Sequence, residues 1–351
     1  MSMTRRDILR AAGVAATATG IGLAPGTAAQ AAGEPRRVDT HHHAVPEDMR
    51  QWAISRGLLP PVGGPSWALW TEGASLQVMR DNGIAAAVVS APVPSFAFDD
   101  PALAEEGARI CNESHARLVA KYPNRFGFFA YVTAQHIDLA LGQVAYALDE
   151  LGAEGVILMT NAGGRYLGDP AFDPLFAELN RRHAVVFTHP GALPDTEFEL
   201  PGVSNSLADF LFDTTRAALN MIANGTLDRY PDVSIILSHG GGFLPYMAAR
   251  AESQGRQGEF VDPAAVRRAL RRFYYDTALP TSPAAMPSLL TVAGPSQVLY
   301  GTDYAARPAT DVGVITADLD RDPAVSDRAL AAINHRNALR LFPRLRARLG
   351  H

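Results

Sequence analysis

Eight short runs rich in β-branched and aromatic residues recur along the chain, at 37–43, 84–91, 126–132, 155–160, 184–189, 234–239, 273–277 and 297–303, with longer stretches of helical spacing between them. No other feature restricts the fold so strongly. Runs such as VVFTHP and SIILSHG are apolar on both faces, as strands covered on both sides must be, and their alternation with helices implies parallel pairing. Helices are expected at 138–151, 172–182, 207–229 and 263–272. A final one at 326–341 starts on a capping Ser326 and places Leu330, Ile333, Ala338 and Leu341 roughly on one face. Eight strand–helix units in a chain of this length predict an α/β fold, a closed (β/α)8 barrel. An open doubly wound sheet often carries a glycine-rich phosphate loop after its first strand, and none follows here. The glycines Gly240, Gly241 and Gly242 come after the sixth run, where they bring backbone close to a ligand or make a tight turn.

At 47% hydrophobic, the 351 residues can build one large core, and a single domain is expected over 37–345. Residues 1–31 stand apart. Thr4-Arg5-Arg6-Asp7-Ile8-Leu9-Arg10, a weakly apolar Ala/Gly/Thr run and a small-residue site near Ala29-Gln30-Ala31 read as a twin-arginine signal peptide, which places the mature protein in the periplasm or outside the cell. The apolar run is too short and too rich in glycine for a good membrane span. Cys111 is the sole cysteine, so an intrachain disulfide is excluded. The leader carries a net +2, so the remainder moves from −5 to −7, and an acidic chain without a basic run is a poor nucleic-acid binder.

The stretch VDTHHHAVP ends the first run. Side chains alternate along a strand, so His41 and His43 point one way and His42 the other. Two imidazoles on one side offer two nitrogens to a single ion. The fifth run stops at His189, the sixth at His239 and the eighth at Asp303. In a barrel those four strand ends share one mouth, which brings His41, His43, His189 and Asp303 within reach of one divalent metal. Nitrogen and oxygen donors suit zinc, with manganese or iron tolerated. The fourth run ends Met159-Thr160 and Lys121 is the only lysine, so neither a glutamate nor a carboxylated lysine is there to bridge two metals, and a single ion is favoured.

The other candidates carry less. His42 is expected to pack against the barrel wall, and His115, His136, His183 and His335 to lie on helices or their turns. Glu47 is close enough to His43 to reach a metal or substrate, or is a solvated loop carboxylate. Arg165 can grip a substrate carboxylate with its planar fork or pin its own loop to Asp169. Segments 51–70 and 192–206 leave strands one and five at the substrate end and are candidate lids.

VDTHHH, VVFTHP, IILSHGGGFLPYMAAR and VLYGTDY, in this order and spacing, resemble the amidohydrolase-related family that contains aminocarboxymuconate semialdehyde, γ-resorcylate and 5-carboxyvanillate decarboxylases, most of all its 6-methylsalicylate decarboxylase-like members. The resemblance implies that His41, His43, His189 and Asp303 hold the metal and that His239 is the catalytic histidine. It implies a homodimer in which an arginine from one subunit reaches the other's site; Arg250, Arg256, Arg267 and Arg268 all follow His239. The implied reaction is non-oxidative decarboxylation of a small hydroxyaryl or unsaturated carboxylic acid. Asp303 then donates the proton to carbon while His239 orients the substrate or stabilises charge; in the other sequence His239 takes a proton from water at the metal. The alternative on the same constellation is hydrolysis of a lactone, ester or amide.

Overall fold

The computed structural model describes residues 36–93, 95–191, 202–278 and 281–351. The leader and residues 192–201 of the second candidate lid lie outside the described residues. Eight parallel strands form the sheet in chain order, β1 (Arg37–His43), β2 (Ile84–Ser90), β3 (Phe126–Tyr131), β4 (Gly155–Met159), β5 (Val185–His189), β6 (Ser234–Leu237), β7 (Tyr274–Asp276) and β8 (Val298–Leu299). A small antiparallel hairpin, Asn161–Ala162 against Arg165–Tyr166, follows β4.

Backbone bonds outside regular ladders close the ring. Thr40 N donates to Tyr300 O at 2.9 Å and Asp303 N to His41 O at 2.8 Å, while His42 and Tyr304 form an isolated parallel bridge. The eighth strand is therefore much shorter than the expected 297–303, because residues 300–304 meet β1 where β1 itself slips register between Asp39 and His42. Such irregularities re-aim side chains at barrel rims.

Alternation along the strands separates two apolar sets. Phe128, Ala130, Val156, Leu158, Val186 and Ile235 pack toward the helices, and Phe129, Ile157, Phe187 and Ile236 belong to the other set. Phe129 and Phe187 sit on strands that are not neighbours, yet their rings stack with centroids 5.2 Å apart, so they meet across the barrel interior. His41 meets the Phe187 ring edge-to-face, with centroids 4.9 Å apart.

Helix Pro263–Arg272 has the expected limits. The expected single helix at 207–229 is instead Asp209–Ala223 and a short Thr226–Arg229, broken where Gly225 takes φ +62°. The final segment begins with Ser326 accepting from Ala329 N and is helical to Leu341 through one wider turn at Ala332–Arg336. Among the described residues no helix is long and apolar enough to cross a membrane.

Candidate metal centre at the barrel mouth

Parallel strands in a barrel all point their C-terminal ends at one mouth, and here that mouth gathers four imidazoles and a carboxylate. His41 Nε2 lies 3.2 Å from His43 Nε2; Asp303 Oδ1 lies 3.2 Å from the first and 3.0 Å from the second. Donors bonded to one ion at about 2.1 Å, at tetrahedral or octahedral angles, stand roughly 3.0–3.4 Å apart. Ligand atoms of His41, His189, His239 and Asp303 all fall within 4.8 Å of one another. The His239 Nε2 atom is 3.6 Å from Asp303 Oδ2, the oxygen that the His41–His43 pair leaves free.

Three of the rings are locked from behind. His41 Nδ1 is 2.7 Å from Asp276 Oδ2, His43 Nδ1 is 3.2 Å from Ser90 Oγ, and His189 Nδ1 is 2.7 Å from the Pro190 carbonyl. A ring that donates through Nδ1 keeps its lone pair on Nε2, so each contact turns that lone pair toward the centre. His189 Nε2 has no hydrogen-bond partner although it is buried. His239 differs in that its Nδ1 is buried without a partner, so nothing holds the ring from behind.

The electrostatics of the cluster suit a bound cation. Burial pushes the His41 imidazole down, but the Asp276 and Asp303 carboxylates outweigh it and hold the ring at about 10. Burial would raise the Asp303 carboxyl, yet His41 above all, with hydrogen bonds from His239, His41 and His43, holds it well below the usual carboxylate range. Burial, aided by the neighbouring imidazoles, lowers His43 to about 4 and His189 well below its ordinary value, so both are neutral donors at neutral pH. The buried Asp276 carboxylate and the mostly buried Asp303, beside neutral His43 and a neutral His189 whose Nε2 has no partner, fit a divalent cation, and the chain carries a divalent metal site here.

The backbone is shaped to deliver these groups. His239 and Asp303 both adopt left-handed conformations, φ 54° and φ 60°, which are uncommon for residues other than glycine; among the described residues only the exposed His183, away from the mouth, shares this. Gly301 lets β8 pass close by: a Cβ there would stand 2.9 Å from that of His41 and 3.0 Å from that of Asp276. Gly240–Gly242 make a tight turn, and Gly242 has no room for a side chain against the Leu211 carbonyl. Asp276 ties this turn to the site, accepting from Gly240 N at 3.3 Å with the oxygen that also accepts from Ala278 N. Asp39 accepts from Thr302 Oγ1 at 2.6 Å and from His41 N at 3.1 Å, clamping β1 to the residue before Asp303.

His42 faces away from the cluster, between Asp39 Oδ2 at 3.0 Å and Ser75 Oγ at 2.7 Å. Two candidates fall outside the site. Glu47 starts a helix with its side chain in solvent, 2.6 Å from Gln51 and 3.7 Å from Arg50, because the helix turns it outward. Arg165 is exposed and pairs with Asp169 at 3.4 Å, so it pins its own loop. His115 and His136 bond the Ala44 and Phe98 carbonyls at 3.0 and 2.8 Å, whereas His183 is exposed. The first lid candidate folds as helix Glu47–Ser55 and a turn Ser66–Leu69, and Ser66 Oγ donates to the Ala306 carbonyl at 3.1 Å beside the mouth.

Two further residues beside the cluster, Asp276 and Arg307, are not marked by the sequence pattern. Asp276 ends β7 in FYYDT, and an acid at the end of a barrel strand was the available signal. Arg307 comes four residues after Asp303, and its Nε lies 3.8 Å from Asp303 Oδ2. No local pattern marks it, since it reaches the mouth only through the turn in which its N–H donates to the Asp303 carbonyl at 2.8 Å.

The chain is 34% identical over 324 residues to the 6-methylsalicylic acid decarboxylase of Penicillium expansum, an overlap of 88% of this chain and 97% of that one. A solved structure described as amidohydrolase II superposes with TM-score 0.79 at 28% identity, covering 88% of this chain and 99% of the other. The dihydroxybenzoic acid decarboxylase of Polaromonas sp. JS666, solved with manganese and the inhibitor 2-nitroresorcinol, shares the fold with TM-score 0.72 at 21% identity, covering 88% and 96%. The amidohydrolase family model matches residues 38–344, so with its eight-stranded barrel and the histidine–aspartate cluster at its mouth the chain belongs to the amidohydrolase family.

Proposed function

We propose that this protein is a metal-dependent, non-oxidative decarboxylase of a small hydroxyaryl carboxylic acid. Kinship over 88% of the chain with 6-methylsalicylic acid decarboxylase carries the reading and favours it over hydrolysis of a lactone, ester or amide. His41, His43, His189 and Asp303 hold the ion, and His239 is kept for the substrate. The contrast in ring locking supports this division: three of the four imidazoles have their Nδ1 held from behind, and His239 does not.

A bound divalent ion supplies Lewis acidity and an anchor for the substrate's oxygens. The protein's own groups move the proton. Asp303, ionised at rest, receives a proton on Oδ2 from His239 and passes it to the ring carbon that bears the carboxylate; the carbon–carbon bond then breaks, CO2 leaves, the electron pair restores the aromatic ring, and His239 regains its proton from solvent. His239 also orients the substrate, and its proton reaches Asp303 across the 3.6 Å between them.

The donor set of imidazoles and one carboxylate suits zinc, our first choice, and accepts manganese, the ion in the Polaromonas decarboxylase. The protein is proposed to work as a homodimer, exported by the twin-arginine route. The test strips the protein of metal, reloads it with zinc or manganese, and follows CO2 release from 6-methylsalicylate and 2,6-dihydroxybenzoate beside a panel of esters and lactones. Metal-restored CO2 release is expected. Turnover of esters or lactones alone would replace the lyase by a hydrolase.

A further inference from the structure

Beside the metal centre lies a cavity of about 530 Å³, lined by Val203, Ser204, Ser206, Leu207, Leu211 and one charged residue, Arg307. This volume is in the range of sites for small organic ligands. Arg307 is the residue that cavity and metal cluster share. Its Nε is buried and has no hydrogen-bond partner. The carboxylates around it are near but not bonded: Asp303 Oδ2 is 3.8 Å from Nε, and Asp311 Oδ2 is 3.6 Å from an outer nitrogen.

A structural arginine is normally spent on acceptors. Arg344 donates to the Ala153 and Leu148 carbonyls at 2.7 and 2.9 Å, and Arg348 to Glu154 at 2.8 Å. Arg37 and Arg125 also bury Nε without a partner, but their outer nitrogens donate to the Asn82 and Ile84 carbonyls at 3.0 and 3.1 Å, whereas no nitrogen of the Arg307 guanidinium is that close to an acceptor among the described residues; a guanidinium so placed at the rim of a site is an offer to an incoming anion. Its planar fork matches a carboxylate with two parallel bonds. Val203, Leu207 and Leu211 supply apolar surface for a ring beside that charge.

We propose that Arg307 receives the substrate's carboxylate, so that each chain carries its own arginine for recognising an aryl acid with a single ring. The assignment deepens the decarboxylase reading and rests on it. The apolar side of the cavity holds the ring and its alkyl substituent, and the arginine distinguishes the acid from its decarboxylated phenol, which lacks the anion. Product release follows from the same contact: once CO2 has left, Arg307 has nothing to hold.

Calorimetric binding of salicylate and of phenol to the metal-loaded protein, with metal content measured alongside, tests this. For Arg307→Met, salicylate affinity should fall about 10- to 100-fold, the range for losing a charge-assisted pair. Phenol affinity and metal content should stay unchanged, and Arg307→Lys should recover part of the loss. Equal weakening of both ligands, unchanged salicylate binding, or a metal-poor Arg307→Met protein would overturn the assignment, the last by making Arg307 a support for Asp303. If the wild type releases no CO2 from any hydroxybenzoate while Arg307→Met still loses salicylate selectively, the decarboxylase reading fails and the carboxylate site stands.

Discussion

The two ends of the barrel solve opposite problems with the same residue types. At the floor, where the strands begin, Arg348 donates to Glu154, to the Phe126 carbonyl at 3.2 Å and to the Pro123 carbonyl at 2.8 Å, while Phe342 and Leu345 are fully buried beneath them. At the mouth, buried His189 Nε2, His239 Nδ1 and Arg307 Nε have no partner, and two non-glycine residues hold left-handed conformations. A chain selected for stability alone would pair or remove such groups. The floor also buries atoms without a partner, Glu154 Oε2 and Arg125 Nε, but those side chains bond the chain through their other atoms, whereas at the mouth such atoms gather around the metal centre.

Substitutions can break that contrast. Asp303→Ala should have the largest effect, abolishing measurable CO2 release and lowering metal content, read by elemental analysis, because it deletes the oxygens that meet His41, His43 and His239. His239→Ala should keep its metal and lose about 10²–10⁴-fold in kcat, the usual worth of a positioned proton-transfer group. A metal-free His239→Ala protein beside a metal-replete His43→Ala protein would exchange the roles proposed for those two rings. Asp276→Asn should cost about 10- to 100-fold in metal affinity or activity, since the residue acts only through His41 and the Gly240 turn; wild-type affinity would show that the His41 tautomer needs no carboxylate behind it. The smallest effect on catalysis belongs to the floor: Arg348→Ala should lower unfolding free energy by about 3 kcal/mol by stranding the mostly buried Glu154, with kcat unchanged. A fall in kcat equal to that of Asp276→Asn would mean that the two ends are not separable.

Much of the architecture was legible because continuous apolar runs and helical spacing are local signals. Strand β1 begins and ends where the sequence places it, and the others shift by a few residues. The helix break at Gly225 was missed because a long amphipathic stretch hides one glycine. The site was partly legible, since histidines and an aspartate at strand ends need only the barrel's topology to bring them together. Glu47 and Arg165 were plausible by closeness in sequence to the site, and the helix turn and the Asp169 pair remove them from it. Asp276 and Arg307 were harder, because what each does depends on which strand lies next to it.

By itself the sequence determined that a barrel forms and which polar residues lie at or just beyond its strand ends, although strands six and eight stop at Leu237 and Leu299, short of His239 and Asp303, because periodicity and strand-end chemistry are encoded within a few neighbouring positions. Only the tertiary structure decided which nitrogen of each histidine faces inward, that Asp276 stands behind His41, and that Arg307 folds back over Asp303. Those outcomes depend on contacts between residues up to 260 positions apart, such as His43 with Asp303, and no local pattern contains them.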